Sequence, residues 1–168
     1  MPAFQGVDKP LVAMIHLPAL PGAANYDGRP VPEIARQAAI EARQLADAGF
    51  DGVMLQNTHD RPARLRVRAG TIAAMSAIAV SVRAAASIEL GINVHKNDAE
   101  AALAVAVGSA ASFVRVKVLV GAVIGVEGQR LKFFPEADKY IVNDSLRLVL
   151  VPDVFERKSY QRRKKIPE

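Results

Sequence analysis

The chain has 168 residues, of which 51% are hydrophobic and 23% are charged, and its formal net charge is +5. This composition excludes a disordered chain and is typical of one globular domain with a substantial core. Because the chain contains no cysteine, disulfides and thiolate metal sites are excluded as well.

Membrane-spanning and secreted proteins are not indicated by the sequence. No uninterrupted apolar stretch reaches the roughly 18 residues expected of a spanning helix. The segment from Met1 to Pro10 lacks the basic and then apolar layout of a signal peptide. We therefore expect a cytoplasmic protein, with attachment to a membrane surface as the alternative.

Short apolar runs alternate with helix-like stretches along the chain, and each run ends in polar or ionisable residues. The five runs are Leu11 to Leu17, Gly52 to Asn57, Ile88 to Val94, Ser112 to Val118 and Leu146 to Asp153. This alternation predicts an α/β protein with a parallel sheet. Ligands bind at the carboxyl ends of such strands because successive loops converge there.

The intervening segments carry helix signals of unequal strength. The first predicted helix begins near Pro32, carries Ile34, Ala38 and Ala42 on one stripe, and stops at Gly49. Three further helices are predicted: one that begins near Thr71, one from Asn97 or Asp98 to Gly108, and one between Gln129 and Tyr140. The last of these is irregular because Pro135 interrupts it.

Two architectures compete for this pattern. A doubly wound sheet often carries a glycine-rich phosphate loop after its first strand, whereas the loop here is proline-rich, HLPALPG. A (β/α) barrel has no such requirement, but a complete one has eight units. We expect a TIM-barrel-like partial barrel of about five βα units over residues 1–153, followed by a tail at 154–168.

The tail accounts for most of the net charge. It holds six basic and two acidic residues, namely Arg157, Lys158, Arg162, Arg163, Lys164 and Lys165 against Glu156 and Glu168. Such a run is usually a solvated terminus, and no aromatic platform or helix-turn-helix pattern accompanies it. Nucleic acid is therefore not an expected partner. Binding to an anionic membrane surface is the functional alternative to a solvated tail.

Several segments, in order and spacing, resemble the BtpA/SgcQ family of TIM-barrel proteins. They are KPLVAMIHLPALPGAANYDG, DAGFDGVMLQNTHDRP, GINVHKNDAEAALAVA and FVRVKVLVGAVIGVEG, followed by LVLVPDVFERKS. The resemblance implies a barrel of the ribulose-phosphate-binding type. Some members are described as enzymes by analogy, and others are named for roles in photosystem I or membrane-complex biogenesis.

The chain departs from that family in two ways. Residues 129–145 match it poorly, and the chain stops where a sixth strand is expected. A five-strand arc leaves two unpaired edges and an uncovered inner face. We consider a truncated product, a barrel completed by a partner or a second copy, and an open sheet covered by its own tail, and we favour truncation.

Two cations on the fourth run suggest an anion site. Arg115 and Lys117 lie two residues apart with Phe113 on the same strand face, so a site for phosphate or carboxylate competes with an internal ion pair to Asp153 or another acidic residue. A Schiff base on Lys117 is a weaker alternative.

His16 and Asp153, at the ends of the first and last runs, are the candidate groups for proton transfer. Their structural alternatives are loop packing for His16 and helix capping for Asp153. No H-x-H, H-E-x-x-H or calcium-loop spacing is present, so neither a metal nor another cofactor is expected.

Amide side chains follow the second and third runs. Gln56, Asn57 and Asn93 are suited to orienting a substrate, although Asn-Thr-His-Asp after Gln56 is also typical turn chemistry. His95, in the next loop, is expected to be solvated. The sequence thus predicts a barrel enzyme that binds a small anionic metabolite, such as a sugar phosphate, for isomerase- or lyase-type proton transfer. A non-catalytic assembly factor for a membrane complex and an inactive fragment are the alternatives.

Overall fold

In the computed structural model, which describes residues 4–116 and the backbone of strands 120–125 and 128–133, strands and helices alternate. The elements are β1 (Val12–His16), α1 (Val31–Asp47), β2 (Gly52–Gln56), α2 (Ala69–Ala85), β3 (Glu89–Asn93), α3 (Ala99–Ser109), β4 (Phe113–Val114), β5 (Val120–Gly125) and β6 (Gly128–Phe133). Strands β1 to β4 form a parallel sheet in sequential order. The predicted α/β class is confirmed, and the sheet is consistent with a partial TIM-barrel-like fold.

The helices form where the sequence predicts them. In α1 the stripe of Ile34, Ala38 and Ala42 is buried, and Gly49 has the positive φ of +89° that ends the helix. Asp98 caps α3 by accepting a hydrogen bond from the Ala101 N–H at 3.2 Å. Its other carboxylate oxygen accepts from the Val67 N–H at 2.9 Å, which ties the loop before α2 to α3.

Parallel register divides the sheet into two unlike faces. Ile15, Leu55, Ile92 and Val114 are aligned across the four strands and belong to the core that the helices cover. Met14, Met54, Gly91 and Phe113 are aligned in the same way one position earlier on each strand, on the opposite side. We call this second side the inner face, because in a barrel it would line the interior.

Aromatic rings pack over glycines on the inner face. A Cβ added to Gly91 would lie 2.3 Å from the Phe113 ring, and one added to Gly52 would lie 2.9 Å from the Phe4 ring. The two phenylalanine rings contact each other with centroids 5.3 Å apart. Glycine is required at these positions because the rings occupy the space of a side chain.

One predicted element is wrong over the part that the structure describes. The helix expected between Gln129 and Tyr140 begins in β6, which pairs antiparallel with β5. The reason is visible in the sequence, since Leu131 and Phe133 alternate with Arg130 and Lys132 at the strand period of two. Residues 134–140 and the predicted strand from Leu146 to Asp153 lie outside the described residues.

Gly91→Ala should destabilise the sheet by about 1 to 3 kcal/mol, because the added methyl group overlaps the Phe113 ring. The measurement is the free energy of unfolding in urea. Gly108→Ala is the matched control: its Cβ would approach only the Ser76 hydroxyl, at 3.7 Å, and alanine favours the helix, so stability should stay equal or rise. Equal midpoints for Gly91→Ala and the unchanged protein would contradict this packing.

Candidate functional site

The last inner-face position of each parallel strand carries a polar side chain. His16 is aligned with Gln56, and Gln56 with Asn93. Arg115 follows two residues after Phe113, and its backbone carbonyl accepts a hydrogen bond from Asn93 Nδ2 at 2.8 Å, which places it beside Asn93. We call His16, Gln56, Asn93 and Arg115 the polar row.

The polar row brings together four of the seven side chains that the sequence singles out. Adjacent strands in a sheet lie about 4.8 Å apart, so neighbouring members can contact one small ligand. Gln56 and Asn93 are buried, Arg115 is partly exposed, and His16 is exposed. The row therefore runs from a solvated end at β1 to a buried centre at β3.

Asn93 is the buried centre of the row, and one of its hydrogen-bonding atoms has no partner within residues 4–116. Its side chain is 1% exposed, and its Nδ2 donates to the Arg115 carbonyl. Its Oδ1 is buried, and no residue of the described part of the chain forms a hydrogen bond with it. Buried polar atoms are nearly always paired, so this oxygen is suited to accept from an N–H or O–H group of a ligand.

His59 is a second imidazole near the row, and the sequence interpretation missed it. Its ring lies edge-on to His16 with centroids 6.5 Å apart. Its Nδ1 lies 2.8 Å from the Leu17 carbonyl oxygen, which can only accept, so Nδ1 carries the hydrogen. In the neutral ring Nε2 then has the free lone pair needed to take up a proton or bind a ligand.

The sequence offered a weak signal for His59. It lies in Asn-Thr-His-Asp, which reads as turn chemistry, and nothing local in the sequence indicates that this turn folds back over the end of β1. The loop is held there by Asn25, whose Nδ2 donates to the His59 carbonyl at 2.9 Å and whose Oδ1 accepts from the Arg61 N–H at 2.8 Å.

Asn57 does not join the polar row. It is fully buried on the helix-covered side, where its Nδ2 donates to Asp60 Oδ2 at 2.8 Å and its Oδ1 accepts from the His95 N–H at 2.7 Å. Asp60 Oδ1 in turn accepts from the Leu20 N–H at 2.9 Å. Both ends of the Asn57 amide are used to join three loops, which favours its structural alternative, and a role in substrate binding stays a prediction.

His95 also differs from its sequence expectation of a solvated loop residue. It is half-buried, and its backbone is held by Asn57. With Asn57 and Asp60 it lines a small open cleft between the loops after β1, β2 and β3. Arg64, Arg68 and Thr71 line the other wall. No member of the polar row lines this cleft, so the row and the cleft are separate features.

The remaining predicted site residues, Lys117 and Asp153, lie outside the described residues. Within residues 4–116 no cluster of three or more histidine, aspartate or glutamate side chains is arranged to hold a metal ion. None of the helices that the structure describes is long and apolar enough to cross a membrane.

The comparisons with known proteins agree on one protein family. The model of the BtpA family matches residues 7–131. An uncharacterized protein of Methanocaldococcus jannaschii is 40% identical over 120 residues, which are 71% of this chain and 46% of that protein. The photosystem I biogenesis protein BtpA of Synechocystis is 37% identical over 120 residues, 71% of this chain and 42% of that protein.

A shorter part of the chain matches a protein of Escherichia coli. The sgc region protein SgcQ of Escherichia coli is 33% identical over 90 residues, 53% of this chain and 34% of that protein. The chain thus spans about half the length of the curated relatives that it matches. No solved structure matches the chain.

Asn57→Ala should lower the free energy of unfolding by about 2 to 4 kcal/mol, because it leaves the His95 N–H and the Asp60 carboxylate without their partner in a buried place. Thr58→Ala is the neighbouring control, since the buried Thr58 Oγ1 makes no hydrogen bond to any described residue and its removal should cost little. Urea unfolding compares the two. Similar losses for both variants would show that the Asn57 bonds do not hold the loops.

Proposed function

We propose that this chain, which belongs to the BtpA family, binds a small anionic metabolite at the polar row and transfers a proton on it. The observation that carries the proposal is the alignment of His16, Gln56, Asn93 and Arg115 on the inner face at the carboxyl ends of four parallel strands. This is the end of a βα sheet at which ligands bind. The family name alone does not supply a substrate or a reaction.

The side chains divide into binding and reacting groups. The Arg115 guanidinium is a planar donor suited to two oxygens of a phosphate or carboxylate. Asn93 Oδ1 accepts from a hydroxyl group of the ligand, and Gln56 lies between this atom and the imidazoles. The buried position of Asn93 favours this contact, because an unpaired buried oxygen gains more from a new partner than an exposed one.

The two imidazoles provide the proton transfer. His59 has its Nδ1 engaged by the Leu17 carbonyl, so its Nε2 is the atom free to act, and His16 lies beside it. Two adjacent imidazoles can remove a proton from one atom of a substrate and return it to the next, which is the chemistry of an isomerase acting beside a carbonyl. Lys117 and Asp153, proposed from sequence as further reacting groups, remain part of the proposal.

Arg115→Gln should weaken binding of a phosphorylated or carboxylated metabolite by about 10- to 100-fold, since it removes a charge-assisted hydrogen bond. A thermal-shift screen with inorganic phosphate, triose and pentose phosphates and hydroxy acids identifies the ligand, and calorimetry measures the affinity. Arg64→Gln, an arginine of the separate cleft, is the matched control and should bind normally.

Loss of binding in Arg64→Gln with normal binding in Arg115→Gln would move the site to the cleft and refute the polar row. The proton-transfer part is tested separately, by following deuterium exchange from D₂O into the carbon beside the carbonyl of the bound ligand. His59→Gln should abolish this exchange while binding persists. Unchanged exchange in both His59→Gln and His16→Gln would exclude the imidazoles.

A non-catalytic role in assembly of a membrane complex is the second candidate, favoured by the name of the Synechocystis relative, photosystem I biogenesis protein BtpA. Under this role the basic residues of the tail make the contact with anionic lipid or with a complex at its surface. Deletion of Arg157 to Lys165 should then remove sedimentation with vesicles of anionic phospholipid, whereas His16→Gln should not. Equal sedimentation of the deleted and full chains would count against this role.

A further inference from the structure

His16 and His59 form an exposed pair of imidazoles at the carboxyl end of β1. Their rings meet edge to face, with centroids 6.5 Å apart and ring planes inclined at 75°. His16 is the last residue of β1, and His59 lies in the loop after β2 that folds back over this strand end. Since both residues are exposed, an ion can reach the pair from solvent.

The His59 ring is held in the tautomer and orientation of a metal ligand. Its Nδ1 lies 2.8 Å from the Leu17 carbonyl oxygen and donates its hydrogen there. Histidines that bind metal ions nearly always donate the other ring N–H in this way, because the bond fixes the ring and makes the remaining nitrogen a stronger ligand. Leu17 directly follows His16, so one short segment at the end of β1 positions both rings.

We infer that His16 and His59 together bind one divalent transition-metal ion of the zinc type. Two imidazoles that bind one tetrahedral ion at about 2.1 Å have ring centroids roughly 5 to 5.5 Å apart. The observed 6.5 Å is slightly longer, and a rotation of the exposed His16 side chain brings the rings to this distance. Residues 4–116 bring no third histidine, aspartate or glutamate to the pair, so the other coordination positions are open to water.

The chemistry of the pair narrows the ion. Imidazole nitrogen suits Zn²⁺, Co²⁺ and Ni²⁺, whereas Mg²⁺ and Ca²⁺ prefer oxygen ligands. The whole chain has three histidines and no cysteine, so His95 is the only imidazole outside the pair, and no thiolate competes for the ion. His95 lines the separate cleft beside α2, which makes it the matched control.

A bound ion and the proposed proton transfer exclude one another at this pair. An ion occupies the lone pairs with which the imidazoles would take up a proton, and this consequence rests on the proposed function. Zn²⁺ should therefore stop the deuterium exchange of the bound metabolite, and a chelator should restore it. Ion binding is measured without any metabolite, so its failure is distinguishable from failure of the proposed function.

The test uses the full chain without a polyhistidine tag, freed of metal ions by a chelator that is then removed. Calorimetry with zinc chloride should give one ion per chain. His16→Gln and His59→Gln should each weaken this binding by more than about 10-fold, because each removes a ligand. His95→Gln should bind Zn²⁺ as the unchanged protein does.

Proton NMR of the unchanged protein serves as a second measurement if a variant does not fold. Zn²⁺ should shift the imidazole signals of two of the three histidines and leave the third in place. The inference is overturned by a dissociation constant above about 1 mM, which would indicate an adventitious ion only. It is also overturned if both pair variants bind as tightly as the unchanged protein, or if folded His95→Gln alone loses binding.

Discussion

The parallel register of β1 to β4 is the constraint on which the rest of the structure depends. Since side chains alternate between faces, aligning Ile15, Leu55 and Ile92 in the helix-covered core forces the residues that follow them, His16, Gln56 and Asn93, onto the inner face. A slip of one residue on any strand would bury a polar side chain under the helices. The packing of the apolar core therefore also aligns the polar row. No additional interaction is needed to bring these polar side chains to one end of the sheet.

The loops above the row depend on a different kind of interaction. Asn57, Asp60 and Asn25 use side-chain amides and a carboxylate to hold backbone groups of three loops, and most of these bonds join residues more than 30 positions apart in the sequence. Burial makes such bonds costly to break, because the remaining partner would be left unsatisfied. The position of His59 over the end of β1 follows from this fixed loop. The sheet aligns His16, and the loop network brings the second imidazole to it.

The sequence predicts the periodic features well and the long-range polar contacts poorly. Apolar runs and helical stripes identify β1 to β3 and α1 to α3, and strand alternation correctly separates Arg115 from Val114 and Val116. Asn57 could not be separated from the polar row by residue type, since an amide that binds a ligand and one that joins loops look alike in sequence. His59 was missed because its position depends on Asn25, 34 residues earlier. The β5–β6 hairpin was missed because a helix was expected from the repeating βα pattern, against the local alternation of Leu131 and Phe133.

The polar row is unevenly solvated along its length. His16 is its exposed member, whereas Asn93, two strands further in, is buried. Electrostatic contacts strengthen as water is excluded, so a contact at Asn93 contributes more to the affinity of a ligand than the same contact at His16. The buried centre of the row therefore favours binding, and the solvated end leaves the imidazoles accessible for proton exchange.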